Sequence, residues 1–137
     1  MFLEQHYEYD GEDHLFTRHY SFIQCIQDVQ YNKAWQDANT NVLVIYGGAD
    51  IPSISPHNSE LLVNALNTMH PGTASYKFLP DTDHSFIKVG TKQDLLRLRQ
   101  NGQFENYARD NFNPALIEMV DTWIKQIREN PKVGSNL

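Results

Sequence analysis

Hydrophobic residues are arranged in two ways along this chain, as unbroken runs and at helical spacing. Residues 42–46 (VLVIY) form a β-branched and aromatic run that ends at Gly47-Gly48. A run without polar alternation indicates a strand covered on both faces, as in parallel sheets. Residues 74–79 (ASYKFL) predict a second strand. Between the two runs, Ser55-Pro56 predicts a helix start, and apolar residues then recur at spacings of three and four: Leu61, Leu62, Ala65, Leu66 and Met69.

The order strand, helix, strand predicts a βαβ unit with two parallel strands. Three further segments predict flanking helices. Residues 17–30 carry apolar residues at helical spacing, Thr91-x-x-Asp94 predicts a capped helix start with Gly102 as its stop, and Asn113-Pro114 opens the last helix. The apolar face of this last helix consists of Leu116, Ile117, Val120, Ile124 and Ile127. The predicted fold class is therefore α/β.

Two parallel strands are too few for a freestanding sheet. The run 42–46 would leave a hydrophobic edge unless something pairs with it. The pattern predicts that further strands on the N-terminal side, or a partner chain, supply the cover. Within the chain we expect an N-terminal arm over residues 1–16, one domain over 17–130 and a frayed tail over 131–137.

Composition narrows the function classes. Of 137 residues, 40% are apolar and 20% charged, which is typical of a folded globular domain, and the net charge of −6 disfavours binding to nucleic acid. No apolar run reaches the length of a membrane span. The start of the chain lacks a signal-peptide pattern, so a cytosolic protein is expected, although a processed exported chain would also fit. The single cysteine, Cys25, excludes an internal disulfide, and we expect it to be a small core residue.

The candidate chemistry lies at the ends of the two predicted strands. Asp50 follows the first strand after Gly47-Gly48-Ala49, and His84 follows the second in PDTDHSF. Loops after adjacent parallel strands emerge at the same edge of a sheet. We therefore expect Asp50 to accept a hydrogen bond from Nδ1–H of His84, which leaves Nε2 free to act as a base.

The segments NVLVIYGGAD and LPDTDHSF, separated by a helix and a strand, resemble the last two catalytic segments of the α/β-hydrolase superfamily. In that family an Asp follows a late strand in a G-x-x-D turn, here Gly47 to Asp50, and the His follows the next strand, here His84. The segment RHYSFIQCIQDVQYNKAW is also similar to what precedes that strand in peptidase-like and esterase-like members. The resemblance covers about residues 17–130 and implies a partial α/β-hydrolase fold, with Asp50 and His84 as its catalytic acid and base.

The chain departs from this family at the nucleophile. No G-x-S-x-G elbow occurs, Cys25 lies in a predicted helix, and none of the serines sits in a glycine-flanked turn: Ser21, Ser53, Ser55, Ser59, Ser75, Ser85 and Ser135. The oxyanion hole of the family comes from the residue after the nucleophile and from an earlier loop. We therefore expect the C-terminal portion of a longer hydrolase or a split gene product, inactive on its own.

Simpler interpretations stand beside these. Asp50 could be a turn residue and His84 a surface histidine. Asp81 and Asp83 are expected to be turn residues, with a substitute catalytic acid as the alternative. The spacing of His6, His14 and His19 with Asp10 or Asp13 matches no zinc pattern, so neither a metal nor a cofactor is predicted. His57 and His70 are expected at the surface, and Trp35, Trp123, Phe86 and Ile87 in packing positions.

Two function classes follow. The first is the acid and histidine half of a serine hydrolase that cleaves ester or peptide bonds in a small-molecule or peptide substrate. Its partner would be the missing N-terminal portion of the hydrolase or a second copy of the chain. The alternative is a noncatalytic α/β-hydrolase-like domain that acts through self-association, as a homodimer, or through binding of another protein.

Overall fold

The computed structural model describes residues 14–15, 18–53 and 55–130. These fall into two compact units, Met1–Asp37 and Ala38–Leu137. The predicted arm over 1–16 lies almost entirely outside the described residues, and the predicted tail over 131–137 lies wholly outside them. The domain boundary at residue 17 stays a prediction.

The first unit contains two short strands and two helices. Strand β1 (His14–Leu15) pairs antiparallel with β2 (Arg18–His19), and the helices α1 (Tyr20–Gln27) and α2 (Tyr31–Ala38) follow. The sequence pattern predicted a single helix over 17–30 and did not predict α2. Cys25 is exposed, so the expectation of a core cysteine was wrong: α1 presents it to solvent rather than to a packed neighbour.

The second unit contains the predicted βαβ arrangement. Strand β3 (Val42–Gly47) is followed by α3 (His57–Met69) and by β4 (Ala74–Leu79), and the two strands pair in parallel with Val42 opposite Ala74. The Ser55 hydroxyl accepts the His57 N–H at 3.1 Å, which explains why the helix begins there. The structure is therefore a mixed α and β fold with two parallel strands and flanking helices, compatible with the α/β class.

Helix α3 is fastened to the start of β4 by the side chain of Asn67. Its amide nitrogen donates to the Ala74 carbonyl at 3.0 Å, and its oxygen accepts the Ala74 N–H at 2.9 Å. Val63 and Leu66 of α3 are buried. Because Asn67 satisfies both backbone groups of Ala74, helix and strand keep a fixed register.

Three helices follow β4. Helix α4 (Lys92–Gln100) has the predicted capping box between Thr91 and Asp94, and Gly102 after its end adopts a φ of 65°. Helix α5 (Phe104–Asp110) was not predicted. Helix α6 (Ala115–Glu129) begins after Asn113, whose side-chain oxygen accepts the Ala115 N–H at 3.1 Å. No helix of the described residues is both long and apolar enough to cross a membrane.

The core lies under the loops that follow the two strands, at their carboxyl ends. Ala49, Ile87, Val89 and Leu95 form its buried cluster, and five half-buried apolar residues pack against it: Ile51, Leu98, Phe104, Tyr107 and Ala108. By contrast, Val42 to Ile45 are only half-buried, and full cover begins at Tyr46. The prediction of a strand covered on both faces therefore holds only for its last two residues.

Candidate active site

The turn after β3 carries Asp50 and is tied by backbone hydrogen bonds to the segment after β4. The Gly48 N–H donates to the Leu79 carbonyl at 2.9 Å, and the Ala49 N–H donates to the Thr82 carbonyl at 2.8 Å. The Asp50 N–H closes the turn on the Gly47 carbonyl at 3.0 Å. Main-chain hydrogen bonds alone thus bring together the turn over residues 47–50, here called the acid turn, and the loop over residues 80–90, here called the histidine loop.

Gly47 is required by this close approach. A Cβ at this position would lie 2.9 Å from the Asp83 carbonyl oxygen and closer still to that of Thr82. Both obstacles are backbone atoms, which cannot rotate away as a side chain can. The first glycine of the G-x-x-D turn therefore has a steric reason, the passage of the histidine loop directly over the end of β3.

Asp50 and His84 are in direct contact, as the sequence pattern predicted. Asp50 Oδ2 lies 2.9 Å from His84 Nδ1, and Asp50 Oδ1 accepts the Ser53 N–H at 2.9 Å. An ionised carboxylate has no proton to donate, so the short contact assigns the imidazole proton to Nδ1. Both carboxylate oxygens thus have a donor, and the orientation of the side chain is fixed from two sides.

The pKa of the Asp50 carboxyl is held below its ordinary value of 3.8. Burial raises this pKa, but donors outweigh the burial: the Ser53 N–H, the His84 imidazole and the Ser53 hydroxyl stabilise the charged form, and the attraction to His84 adds to them. Asp50 is therefore a carboxylate at neutral pH, which is the state in which it can orient an imidazole and stabilise the charge of an imidazolium.

The two partners differ sharply in exposure. The side chain of Asp50 is 7% exposed and that of His84 is 58% exposed. Within residues 18–53 and 55–130, no group hydrogen-bonds Nε2 of His84. The acid is thus held inside the protein while the basic nitrogen of the histidine is open to an incoming group, which is the division needed for general acid–base chemistry.

Backbone hydrogen bonds hold the histidine loop in place at several residues. Isolated bridges join Thr82 to Lys88 and Ile87 to Phe112. The Asp81 carbonyl accepts the N–H groups of Val89 and Gly90 at 2.7 and 3.0 Å. The loop turns back on itself between Asp83 and Ile87, and His84 and Ser85 are the exposed residues of this turn.

A buried polar group beneath the loop was missed by the sequence reasoning. Thr82 is fully buried; its hydroxyl donates to the Pro80 carbonyl at 2.7 Å and accepts from Asn113 Nδ2 at 2.7 Å. Asn113 was interpreted only as the start of the last helix, and no local pattern links two residues 31 positions apart. The one available signal was that Asn113 is polar and precedes Pro114, which does not reveal a buried contact.

The remaining candidates do not join the site. His57 is exposed, as expected, whereas His70 is half-buried. Within the described part of the chain, no group of three or more His, Cys, Asp or Glu residues could hold a metal ion. His6, Asp10, Asp13 and the side chain of His14 lie outside what the structure describes. Asp81 has a φ of 56° and serves as a turn residue, and Trp35 and Trp123 are half-buried.

The arrangement brings a histidine and a carboxylate together, but no nucleophile lies beside them among the described residues. None of the described serines hydrogen-bonds Nε2 of His84, and the nearest in sequence, Ser85, donates its N–H to Asp83 at 2.9 Å. The chain matches no protein-family model, no curated protein and no solved structure.

Proposed function

We propose that this chain supplies the acid and the histidine of a serine hydrolase, with Asp50 as the orienting acid and His84 as the general base. The observation that carries the proposal is the contact between Nδ1 of an exposed histidine and a buried carboxylate that follows the neighbouring parallel strand. The fold would be the C-terminal part of an α/β-hydrolase, in the family order of acid before histidine.

In this mechanism a serine hydroxyl from outside the 137 residues attacks an ester or peptide carbonyl. Nε2 of His84 accepts the serine proton and then donates it to the leaving group, while Asp50 holds the imidazole and stabilises its positive charge. The absence of G-x-S-x-G from the sequence means that the nucleophile and oxyanion donors come from another segment or chain. This chain alone is therefore expected to have no serine-hydrolase turnover.

The test begins with the coding sequence upstream of residue 1. A G-x-S-x-G segment there is expected, and its absence both there and in a neighbouring gene would rule out this version. The joined protein is then assayed on short acyl esters and aminoacyl substrates. We expect His84→Ala and Asp50→Asn each to lower kcat/KM by about 10⁴-fold, since both disable the same triad function.

Matched controls of the same residue types are available elsewhere in the chain. His57→Ala removes an exposed histidine at the start of α3, and Asp81→Asn replaces a turn aspartate by a residue that tolerates positive φ. Both controls are expected to keep kcat/KM within a factor of about three of the unmodified protein, because neither residue reaches the reacting atoms. Full activity in both Asp50→Asn and His84→Ala would refute the triad assignment.

A second candidate function, self-association as a homodimer, is favoured by the uncovered side of the sheet. Val42 and Gly48 donate their N–H groups towards the β4 side. In a parallel ladder alternate residues face the same partner, so Leu43 and Ile45 direct their backbone groups to the opposite edge. Among the described residues, no strand pairs with that edge. A second copy of the chain would satisfy these groups.

Light scattering during size-exclusion chromatography tests this candidate. A dimer that also buries the apolar side of α6 should shift towards monomer in the double variant Ile117→Glu/Ile124→Glu, because both side chains are exposed in one chain at 61% and 40%. Leu61→Glu on α3, 51% exposed, is the control and should leave the mass unchanged. A monomer at all concentrations would exclude the homodimer.

A further inference from the structure

Asp83, which directly precedes the exposed His84, is fully buried. Aspartate is rarely found at zero exposure unless its oxygens accept hydrogen bonds, because water is lost from a charged group. Its Oδ1 accepts the N–H of Ser85 at 2.9 Å and the N–H of Ile87 at 2.8 Å. One carboxylate oxygen thus accepts hydrogen bonds from two backbone N–H groups that follow His84 in the chain.

The main chain of Asp83 closes the same loop. Its N–H donates to the Ile87 carbonyl at 2.9 Å, and its carbonyl accepts the Phe86 N–H at 3.1 Å. Four hydrogen bonds from this single residue therefore enclose residues 84–86. Its carbonyl also lies over Gly47, so the loop is anchored to Asp83 at the point where it passes the end of β3.

The enclosed turn is strained at Phe86, which has a φ of 62°. A bulky side chain seldom occupies this left-handed region, and such conformations persist only where the surroundings determine them. The Phe86 carbonyl also accepts the Asn113 N–H at 2.9 Å, which holds the residue from its other side. This outlier is two residues from His84, and it is the conformation that turns the chain back at the histidine.

We infer that Asp83 is a positioning residue for His84: its carboxylate holds the strained turn that places Nδ1 of the imidazole on Asp50. This rests on the proposed function, in which the Asp50–His84 pair is the acid and base of the site. Asp83 itself touches neither the imidazole nor Asp50 through a hydrogen bond. Its second oxygen, Oδ2, is buried and has no hydrogen-bond partner among the described residues, so Oδ1 carries the contacts.

The pKa of Asp50, followed by the ¹³C shift of its carboxyl carbon in the full chain, separates positioning from a merely structural role. His84→Ala should raise this pKa, because a donor to the carboxylate is lost. Asp83→Ala should raise it as well, since His84 then leaves the carboxylate. Loss of the negative charge at position 83 would by itself lower the pKa of Asp50. A rise is therefore the signature of a displaced histidine.

Asp83→Asn is the matched conservative variant. Its amide oxygen can accept the same two N–H groups, so the pKa of Asp50 should stay at or below that of the unmodified chain. Should Asp83→Ala fail to fold, Asp83→Ala/Phe86→Gly replaces it, because glycine adopts positive φ without strain. Phe86→Gly alone is then the reference for the Asp50 pKa.

The outcomes are distinct. If Asp83→Ala, or its double variant, loses stability but the pKa of Asp50 is no higher than in Asp83→Asn, which lacks the same charge, the positioning role is overturned. If Asp83→Asn raises that pKa as alanine does, the hydrogen-bond explanation is overturned. If His84→Ala itself leaves the pKa of Asp50 unchanged, the pair on which the proposed function rests fails instead.

Discussion

The loops at the carboxyl ends of β3 and β4 and the helix α6 belong to the same compact unit but are covered very differently. The loops contain fully buried residues of both kinds, apolar Ala49 and polar Thr82 and Asp83. None of the 15 residues of α6 is buried, although one side of that helix is apolar. Open cavities of 460 and 330 Å³, both lined in part by Trp123, lie between α6 and β4.

This difference shows which part of the molecule the described residues pack on all sides. The acid turn and the histidine loop obtain their packing from α4, α5 and each other. The apolar side of α6 leaves Ile117 and Ile124 exposed to water, and among the described residues no strand pairs with the outer edge of β3. The site is therefore packed by residues of this chain, whereas the outer edge of β3 and the apolar side of α6 are left uncovered by the described residues.

The largest change in the free energy of unfolding is expected when Leu95 is replaced. This residue is fully buried in the cluster beneath the loops, whereas its neighbour Leu96 on α4 is 45% exposed. Leu95→Ala should lower the free energy of unfolding by about 2–5 kcal/mol, because it leaves a cavity in the core. Leu96→Ala is the matched control and should change it by about 0.5 kcal/mol. Urea unfolding followed by circular dichroism measures both, and equal effects would remove the distinction between the two regions.

A smaller loss of unfolding free energy is expected when Gly47 is replaced. Gly47→Ala places a methyl group against the Thr82 and Asp83 carbonyls and should cost about 1–3 kcal/mol through backbone displacement. Gly102→Ala meets no atom within 4 Å but has a φ of 65°, so it should cost about 1 kcal/mol from conformation alone. The two costs are compared by urea unfolding at one pH.

The substitution Gly47→Ala should also displace the histidine loop. In Gly47→Ala the pKa of Asp50 is expected to rise, because the Thr82 segment that carries His84 is pushed outwards. Gly102→Ala should leave that pKa unchanged, since Gly102 follows α4. An unshifted Asp50 in Gly47→Ala would show that the loop yields without carrying the histidine away.

Acid should weaken the fold partly through Asp50. Because its pKa is lowered in the folded chain, Asp50 contributes stability that is fully present above 3.8 and is lost as the pH falls through the folded value. Asp50→Asn should therefore show a smaller loss of unfolding free energy over this acid range. The comparison is urea unfolding at a series of pH values, and an identical pH slope in the variant would contradict the assignment.

Asp94 is the control for this experiment. Its pKa is also lowered, by the hydroxyl and then the N–H of Thr91, with a further contribution from Arg97. Asp94→Asn should also reduce the loss of unfolding free energy at acid pH. It should, however, leave the Nδ1–H proton resonance of His84 unchanged. Asp50→Asn should remove or move that resonance, because the acceptor of the proton is changed.

The smallest effect is expected on the exposed face of α6. Ile117 is 61% exposed, so Ile117→Ser should change the free energy of unfolding of the chain by about 0.5 kcal/mol. A loss of 2 kcal/mol or more, at the level of core truncations, would mean that this face is buried in solution. Repeating the measurement at several protein concentrations distinguishes burial within one chain from burial by a second copy.

Much of this fold was accessible from local signals. The runs at 42–46 and 74–79, the capping box at Thr91 and Asp94, and the start at Asn113 each depend on a few neighbouring residues. The Asp50–His84 contact was also predictable, because parallel pairing brings two consecutive strand ends to one edge. Its catalytic meaning still stands as a proposal.

The features that the sequence did not predict depend on contacts between residues far apart in the chain. Helices α2 and α5 are short, and neither was recognised from its local pattern. The exposure of Cys25 depends on what surrounds α1, and the bond between Thr82 and Asn113 joins residues far apart in sequence. Asp83 resembled an ordinary turn aspartate because its burial is decided by β3, Phe86 and Ile87, not by its immediate neighbours.

The hydrogen bond from Ala49 to the Thr82 carbonyl has a mechanical consequence. It is a main-chain link between the two loops, so it couples a displacement of one loop to the other while it is intact. A force on either loop would therefore act on Asp50 and His84 together, rather than on one of them alone.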